Sequence, residues 1–330
     1  MTGVDMVEIR PIDKPMLDPA GAILRVEACG ICGTDVQILG VPPGHPATPG
    51  TVMGHEFVGR VVEAGPSAVA AGIGLGHRVV VDPDPKCGTC GPCRSGRPAN
   101  CENLRALGIF RDGALAARVK APGSAVYPIS DDVPAELGAL VEPLACVVNG
   151  TNRAALRPGE SVVVFGAGAI GCLFTAVLKA AGASPLVAVE PSAGRGDVAR
   201  RVGADEVLTP DQFRAARANI LPHGADVVVD AVGSLLAESI EAAGMGGRIV
   251  VFGMNGNARP PIHQVEITEK GLTILGSYIS NFTFPTAIRL VEAGALELGP
   301  IVTEVLPLDR VADGIARLRA GDATKIVIRP

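Results

Sequence analysis

The stretch of residues 161–171 constrains the fold of this chain more than any other. Its sequence is SVVVFGAGAIG, in which four β-favouring residues run into the pattern Gly-x-Gly-x-x-Gly, and a helical pattern of apolar residues follows. A parallel strand is an unbroken apolar run because helices cover both faces of its sheet. The stretch therefore predicts a strand, a tight turn and a helix whose N-terminus holds the phosphates of a dinucleotide.

The three glycines of this motif have separate roles in a dinucleotide site. Gly166 allows the turn out of the strand, Gly168 lets the pyrophosphate approach the backbone, and Gly171 lets the helix pack close to the strand. Ala169 and Ile170 complete the predicted phosphate-binding turn. The alternative is a strand, turn and helix without a ligand. An acidic residue at the expected distance favours the dinucleotide.

That acidic residue is Glu190, which ends a second apolar run about twenty residues after the motif. A carboxylate there accepts hydrogen bonds from the adenosine ribose and repels a 2′-phosphate, which predicts NAD rather than NADP. Arg195 is a further candidate cofactor-binding residue that leaves NADP open, because a nearby arginine can hold the 2′-phosphate. The preferred interpretation of Arg195 is an exposed charge at the start of a helix.

Length and composition allow two domains and argue against several classes of function. The chain has 330 residues, and no apolar run reaches the roughly twenty residues that cross a bilayer, so no membrane partner is expected. A net charge of −5 without basic clusters argues against a nucleic-acid partner. The first six residues have neither a basic region nor an apolar core, so we expect no signal peptide and a cytoplasmic location.

Four of the eight cysteines form a metal-binding pattern with the spacing C-x2-C-x2-C-x7-C. Four thiolates at this spacing can close a tetrahedral shell around Zn²⁺. Because these ligands would fill the shell, the pattern predicts a structural zinc, with an iron–sulfur cluster or disulfides as alternatives. The four residues are Cys87, Cys90, Cys93 and Cys101.

The periodicity of apolar residues predicts an α/β chain with two kinds of sheet. Short alternating runs early in the chain predict a half-exposed antiparallel sheet, and repeated strand–helix units after the motif predict a parallel, doubly wound sheet. A helix carrying Cys146 is predicted after the strands and turns of residues 102–143. The predicted strands are 23–28, 58–63, 76–81, 162–165, 185–189, 225–230, 247–253, 272–276 and 325–328.

Five motifs in this order resemble those of the zinc-dependent medium-chain alcohol and polyol dehydrogenases, over nearly the whole chain. They are residues 30–35, 54–59, 87–101, 141–144 and 166–171. The Glu-Pro pair at 142–143 resembles the sorbitol and threonine dehydrogenase branches, whereas classical alcohol dehydrogenases have a cysteine at that place. The resemblance implies a doubly wound parallel Rossmann sheet plus a mainly β GroES-like catalytic domain with a structural zinc lobe.

The resemblance also implies a domain division and an assembly. Residues 1–143 would form the catalytic domain with the zinc lobe at 87–101, residues 144–278 the dinucleotide-binding domain, and residues 279–330 would return to the catalytic domain.

The resemblance further implies a homodimer or homotetramer whose subunits pair through sheet edges. The apolar run 272–277 supports this, because an open apolar edge strand is an aggregation hazard. Cover by a loop or helix of the same chain is the alternative.

The resemblance implies that Cys32 and His55 bind a catalytic zinc, with Glu56 and Glu142 at the branch's two acidic positions near the metal. A thiolate, an imidazole and one carboxylate leave one position open, which a catalytic zinc needs. Which glutamate binds directly, and which through water, stays open. Thr34 matches the hydroxyl that accepts the substrate proton. The remaining predicted cofactor-binding residues are Val232, Phe252 and Gly253.

The implied mechanism is activation of an alcohol by zinc as a Lewis acid and hydride transfer to a nicotinamide. The chain departs from the family at Gln37, where a relay histidine is usual. An amide cannot titrate near neutral pH, so the proton must leave through Glu56, Glu142 and water, or through His45.

These motifs lead to three hypotheses of function. The first is a zinc- and NAD-dependent dehydrogenase of a secondary alcohol of polyol, sugar or cyclitol type. The second is a zinc-containing reductase of a biosynthetic ketone, aldehyde or imine. The third is a catalytically silent zinc- and nucleotide-binding protein, against which the intact candidate ligands argue. The substrate is not encoded in these motifs, because residues on several loops line its pocket.

Overall fold

Two β-sheets with surrounding helices form the described part of the chain, residues 6–330 of a computed structural model. The strands are β1 Gly21–Gly30, β2 Glu56–Ala64, β3 Arg78–Val81, β4 Arg118–Pro122, β5 Val126–Pro128, β6 Val162–Phe165, β7 Leu186–Val189, β8 Glu206–Leu208, β9 Ala225–Asp230, β10 Ala243–Val251, β11 Thr273–Gly276, β12 Val302–Pro307 and β13 Lys325–Arg329. The helices are α1 Gly33–Ile38, α2 Pro66–Ala70, α3 Gly91–Arg94, α4 Ala135–Gly138, α5 Val141–Ala154, α6 Ala169–Ala180, α7 Ala193–Arg201, α8 Pro210–Ile220, α9 Leu236–Ala242, α10 Gln264–Lys270, α11 Phe284–Glu292 and α12 Val311–Ala320.

The first sheet is mainly antiparallel and joins the two ends of the chain. Its strand order is β12-β13-β1-β2-β3-β5, and β4 also pairs with β1. The prediction of a half-exposed sheet is wrong for β1, which is buried along most of its length. Its residues pack on both sides: Ala28 belongs to a core that includes Leu144 of α5, and Leu24 belongs to a second core with Ile315 of α12.

The second sheet has six parallel strands in the order β11-β10-β9-β6-β7-β8. The central strand β6 is fully buried, because Val162 and Val164 pack into one core and Val163 and Phe165 into another on the opposite face. This two-sided burial explains the unbroken apolar run in the sequence. The predicted doubly wound parallel sheet is confirmed, and β11 lies at one edge of it.

Most predicted elements occur with small shifts of their ends. Each of the nine predicted strands overlaps an observed strand, whereas β4, β5, β8 and β12 have no predicted range of their own. Residues 141–144 are not the end of a strand region, because α5 already begins at Val141 and places Glu142 in its first turn. This helix carries Cys146, as predicted.

The predicted domain boundaries at 143 and 278 stay predictions, and the first falls within α5. Within residues 6–330 the longest helix has 14 residues, and no helix combines the length and apolar character needed to cross a bilayer. The expectation about a signal peptide rests on the first six residues, of which residues 1–5 lie outside the described residues.

The glycine motif allows a test of packing with a matched control. A Cβ on Gly171 would overlap the carbonyl oxygen of Gly166, whereas a Cβ on Gly168 would have no heavy atom within 4 Å. We expect Gly171→Ala to destabilise the protein by about 1–3 kcal/mol, because the helix must move away from the strand end. Gly168→Ala should keep the wild-type melting temperature. Calorimetry checks both variants, and equal melting temperatures for them would contradict the close packing.

Candidate active site and metal centres

A thiolate, an imidazole and a carboxylate come together at the edge of the first sheet. Cys32 caps α1, and its Sγ accepts a hydrogen bond from the Thr34 N–H at 3.4 Å. His55 immediately precedes β2, and Glu56 begins that strand. The possible ligand atoms of Cys32, His55 and Glu56 lie within 4.8 Å of one another. This donor set fits zinc with one position open.

The surroundings of His55 support its predicted role as a ligand. Its Nδ1 is buried without a hydrogen-bond partner among the described residues, and so is Oδ1 of Asp35, 3.8 Å away. The other Asp35 oxygen accepts the Cys32 N–H at 2.9 Å. Metal-binding histidines commonly direct their second ring nitrogen to a carboxylate. Asp35 is therefore placed to orient both Cys32 and His55.

Glu56 forms a buried ion pair with Lys325, the first residue of β13. Lys325 Nζ lies 2.5 Å from Glu56 Oε2 and also donates to the Ile31 carbonyl at 3.0 Å. The two side chains are only 3% and 1% exposed. Charges at this depth persist when they are paired and hydrogen-bonded. One oxygen of Glu56 is thus held by a cation, although its carboxylate belongs to the three-ligand cluster.

Glu142 lies outside this cluster but lines the same cavity. Burial raises the pKa of its carboxyl group to about 8. The Cys146 thiol donates a hydrogen bond to Oε1 of Glu142 at 3.4 Å, one turn along α5. The structure therefore brings three of the four predicted catalytic-zinc residues within ligand distance and leaves Glu142 at the cavity wall.

A cavity of about 240 Å³ lies between the two sheets, directly at the cluster. Thr34 of α1 lines one side, and Ile170, Phe252 and Gly253 line the other. Gln37 crosses this cleft, because its Nε2 donates to the Met254 carbonyl after β10 at 2.6 Å. The side chain that replaces the usual relay histidine thus connects the two sides of the cleft.

A larger cavity of about 680 Å³ adjoins the first at Val232. Gly166, Glu190 and Arg195 line it at the carboxyl ends of the parallel strands, where ligands of doubly wound sheets bind. Glu190 Oε2 accepts the Ala167 N–H at 2.7 Å, and Oε1 accepts that of Ser192 at 2.9 Å. The carboxylate is therefore fixed at the glycine turn.

Arg195 is not the exposed helix-start charge that the sequence analysis prefers. Its guanidinium is half-buried and donates to the Ala323 carbonyl from Nε at 3.2 Å and from Nη2 at 3.0 Å. Nη2 also lies 3.5 Å from the Leu318 carbonyl in the last turn of α12. Carbonyls at a helix C-terminus lack partners within the helix, which explains why a cation is held there.

The four-cysteine lobe brings its sulfur atoms together as the spacing predicts. The Sγ atoms lie within 4.8 Å of one another, and all eight cysteines are free, so the disulfide alternative is not observed. The hydrogen bond from Asn103 and those from Thr89 lower the pKa of Cys87 to about 5, which favours the thiolate that binds metal. Four such donors fit a closed tetrahedral zinc site.

Comparison with known proteins identifies the family. Residues 18–131 match the alcohol dehydrogenase GroES-like domain, and residues 169–293 match the zinc-binding dehydrogenase domain. The chain is 32% identical to D-arabinitol dehydrogenase 1 of Uromyces fabae, over 96% of this chain and 92% of that protein. It is 33% identical to L-threonine 3-dehydrogenase of Caldanaerobacter subterraneus, over 99% of this chain and 96% of that protein. The chain belongs to the zinc-dependent medium-chain alcohol/polyol dehydrogenase family.

Solved structures of medium-chain dehydrogenases share the fold of this dehydrogenase. The TM-score is 0.93 with a zinc-binding dehydrogenase from Sinorhizobium meliloti bound to NADP, at 33% identity over 99% of this chain and 97% of that one. The TM-score with 2R,3R-butanediol dehydrogenase of Bacillus subtilis is 0.89, at 28% identity over 100% of this chain and 98% of that one. The predicted family and fold class are confirmed. The protein is a zinc-dependent alcohol oxidoreductase that uses a nicotinamide cofactor and a small-molecule substrate.

Three positioning residues of this dehydrogenase are not among the site residues predicted from the sequence. Asp35 lies within a recognised motif, but no role was assigned to it. Lys325 is the single charge at the start of an otherwise apolar predicted strand, which is a usable signal. Asp230 ends the apolar strand β9, and its Oδ1 accepts the N–H groups of Val232 and Gly233 at 2.9 and 2.7 Å. It thereby fixes the turn where the two cavities meet.

The two ligand sets predict two zinc ions per chain. Cys93→Ser should remove one zinc and lower the melting temperature, because structural zinc contributes to folding. Cys32→Ser should remove the other zinc and the activity while the melting temperature stays near that of the wild type. Elemental analysis of the purified proteins checks this. One zinc per wild-type chain, or iron with acid-labile sulfide, would contradict the assignment.

Proposed function

We propose that this dehydrogenase oxidises a secondary alcohol of polyol, sugar or cyclitol type, with NAD as the hydride acceptor. The observation that carries the proposal is the continuous cleft in which the Cys32, His55 and Glu56 cluster faces the strand ends of the parallel sheet. The two cavities meet at Val232, so one extended dinucleotide can reach from Glu190 to the cluster. The relatives named for arabinitol, threonine and butanediol support a secondary alcohol.

When bound, zinc would polarise the alcohol oxygen as a Lewis acid, and the nicotinamide would accept the hydride. Cys32 and His55 would hold the metal, while one Asp35 oxygen accepts the Cys32 N–H and the other lies 3.8 Å from His55 Nδ1. Lys325 pairs with Glu56 and orients its carboxylate at the cluster. The Thr34 hydroxyl lines the cavity and takes the proton of the alcohol. The apolar walls of the cleft exclude water from the reacting groups.

The proton then leaves without a relay at position 37, because the Gln37 amide does not titrate and is bonded to the Met254 carbonyl. His45 lines the same cavity and is half-buried. With its Nδ1 donating to the Pro46 carbonyl at 2.8 Å, the Nε2 atom is the proton acceptor. We infer that the proton leaves the cavity through His45.

The absence of a relay histidine at position 37 also favours a second candidate function, which is the reduction of a ketone, aldehyde or imine.

Two contacts support NAD over NADP. The Glu190 carboxylate is held at the end of β7 by two backbone donors, where it meets the adenosine ribose of a bound dinucleotide and repels a 2′-phosphate. Arg195 already donates to the carbonyls of Ala323 and Leu318 rather than to a free anion site. The Sinorhizobium relative is bound to NADP, so the choice needs a direct test.

A panel of alcohols tests the reaction itself. Polyols, amino alcohols and simple secondary alcohols are each incubated with NAD or NADP, and the absorbance of the reduced cofactor is followed. We expect turnover of at least one secondary alcohol and a loss of about 100-fold or more in Cys32→Ser, since a metal supplies several kcal/mol of stabilisation to the transition state. Absence of turnover with every alcohol would favour the silent-protein hypothesis.

A charge removal at Glu190 tests the cofactor. In Glu190→Ala, the ratio of kcat/KM for NAD to that for NADP should fall at least about tenfold, because the repulsion of the 2′-phosphate is lost. Glu206→Ala, at an exposed glutamate that begins β8, should leave this ratio unchanged. A wild-type enzyme with the higher kcat/KM for NADP would reject the proposal and point to an arginine as the phosphate ligand.

We further propose a cytoplasmic homodimer or homotetramer paired through β11. This strand lies at the open edge of the parallel sheet, and Ile274 is 37% exposed on it. Pairing with a second copy satisfies the edge backbone groups and covers the side chain. Ile274→Lys should therefore shift the protein toward monomer. Light scattering at micromolar concentration measures the mass, and a wild-type mass of 33.6 kDa would contradict the proposal.

A further inference from the structure

A carboxylate with no role in the reaction above faces the smaller cavity. Asp84 follows β3 in the segment that leads to the cysteine lobe, and it is only 5% exposed. The Asp84 carboxylate has no hydrogen bond or ion pair with any described residue. The nearby cation Lys86 is not available, because its Nζ donates to both oxygens of Asp82 at 3.0 and 2.8 Å. The Asp84 N–H donates to Asp82 Oδ1 at 3.0 Å, which fixes this segment.

Several observations place the Asp84 charge at the cavity rather than in the lobe. Asp84 lines the cavity together with Glu142, Cys146 and Tyr278. Its charge also contributes to raising the pKa values of those three groups, after the larger effect of burial. Burial raises the pKa of Asp84 itself to about 6, so the carboxylate is ionised at pH 8. A buried charge without a partner is costly, which calls for a cation or donor from outside the chain.

A second unpartnered group lies on the same cavity. Ser277 follows β11 and is 8% exposed, and its hydroxyl is buried without a partner among the described residues. Much of the remaining wall is apolar and includes Leu104, Ile109 and Phe110. Lysine and arginine are absent from the described residues that line the cavity. The cavity therefore offers hydrogen-bond partners and negative charge beside an apolar surface, and no lysine or arginine to bind an acidic substrate.

We propose that Asp84 is a specificity-determining residue that binds an ammonium group of the substrate, which makes the preferred substrates amino-substituted secondary alcohols. The alcohol oxygen lies at the Cys32–His55 cluster, and the ammonium group lies on the Asp84 carboxylate. An ammonium both neutralises the buried charge and donates hydrogen bonds, whereas a hydroxyl donates without neutralising it. This inference rests on the proposed function, and it narrows the substrate class.

Three alcohols with one carbon skeleton test the inference. 1-Amino-2-propanol, 1,2-propanediol and lactate carry an ammonium, a hydroxyl and a carboxylate beside the same secondary alcohol. Values of kcat/KM are measured with the zinc-loaded enzyme and NAD at pH 8. We expect the wild type to prefer the amine to the diol by about tenfold or more, with lactate the poorest substrate. Asp84→Asn should lower kcat/KM for the amine by about tenfold and change that for the diol by less than about threefold.

Two further variants separate this role from a general effect on folding. Asp84→Glu keeps the charge and should keep a preference for the amine. Asp132→Asn removes an exposed carboxylate that lies outside the cavity lining. It should change the amine-to-diol ratio by less than about twofold. Equal ratios in wild type and Asp84→Asn, or a wild type that prefers lactate, would overturn the inference.

A binding measurement distinguishes failure of this inference from failure of the proposed function. The fluorescence of enzyme-bound NADH is followed while the amine or the diol is added, which needs no turnover. Weaker binding of the amine alone in Asp84→Asn supports the site even if no alcohol is oxidised, and that result would count against the proposed reaction. Oxidation of the alcohols without any dependence of amine binding on Asp84 would uphold the reaction and reject the site.

Discussion

The buried ion pair between Glu56 and Lys325 is the contact on which the candidate active site depends. It joins β2 to β13 across β1, and the second hydrogen bond of Lys325 Nζ, to the Ile31 carbonyl, fixes the segment that leads to Cys32. Breaking a buried pair by removing one partner costs about 3–5 kcal/mol, so the register of β13 is tied to the metal site. The close approach also requires Gly30, since a Cβ there would collide with the Glu56 carboxylate.

Hydrogen bonds fix the segments that line the cleft between the sheets. Gln37 bonds to the Met254 carbonyl on one side. On the other, Asn149 Nδ2 donates to the carbonyls of Tyr278 and Ile279 at 3.3 and 2.8 Å. Ile279 has a φ of 41°, which is strained for a β-branched residue, and it lines the cavity. Strain of this kind persists only where surrounding contacts hold it, and it concentrates at functional sites.

The sequence predicts the parts of this structure that depend on local patterns. The apolar run before Gly166 and the alternating runs of other strands reflect which faces of each strand are buried. The spacing from Cys87 to Cys101 is enough to predict a four-sulfur site. Lys325 could not be assigned to Glu56 in this way, because 269 positions separate the pair along the chain. The same is true of Arg195, whose partner Ala323 is 128 positions away. Such contacts depend on how the two sheets are placed, which no local pattern describes.

The central claim is that the cleft transfers a hydride directly from an alcohol carbon to a nicotinamide. The most direct test uses a secondary alcohol deuterated at the carbinol carbon, with the zinc-loaded enzyme and oxidised cofactor, and mass spectrometry of the cofactor formed. The account predicts one deuterium in each reduced nicotinamide and a slower rate than with the unlabelled alcohol if transfer limits turnover. Reduced cofactor that carries no deuterium would contradict direct transfer within this cleft.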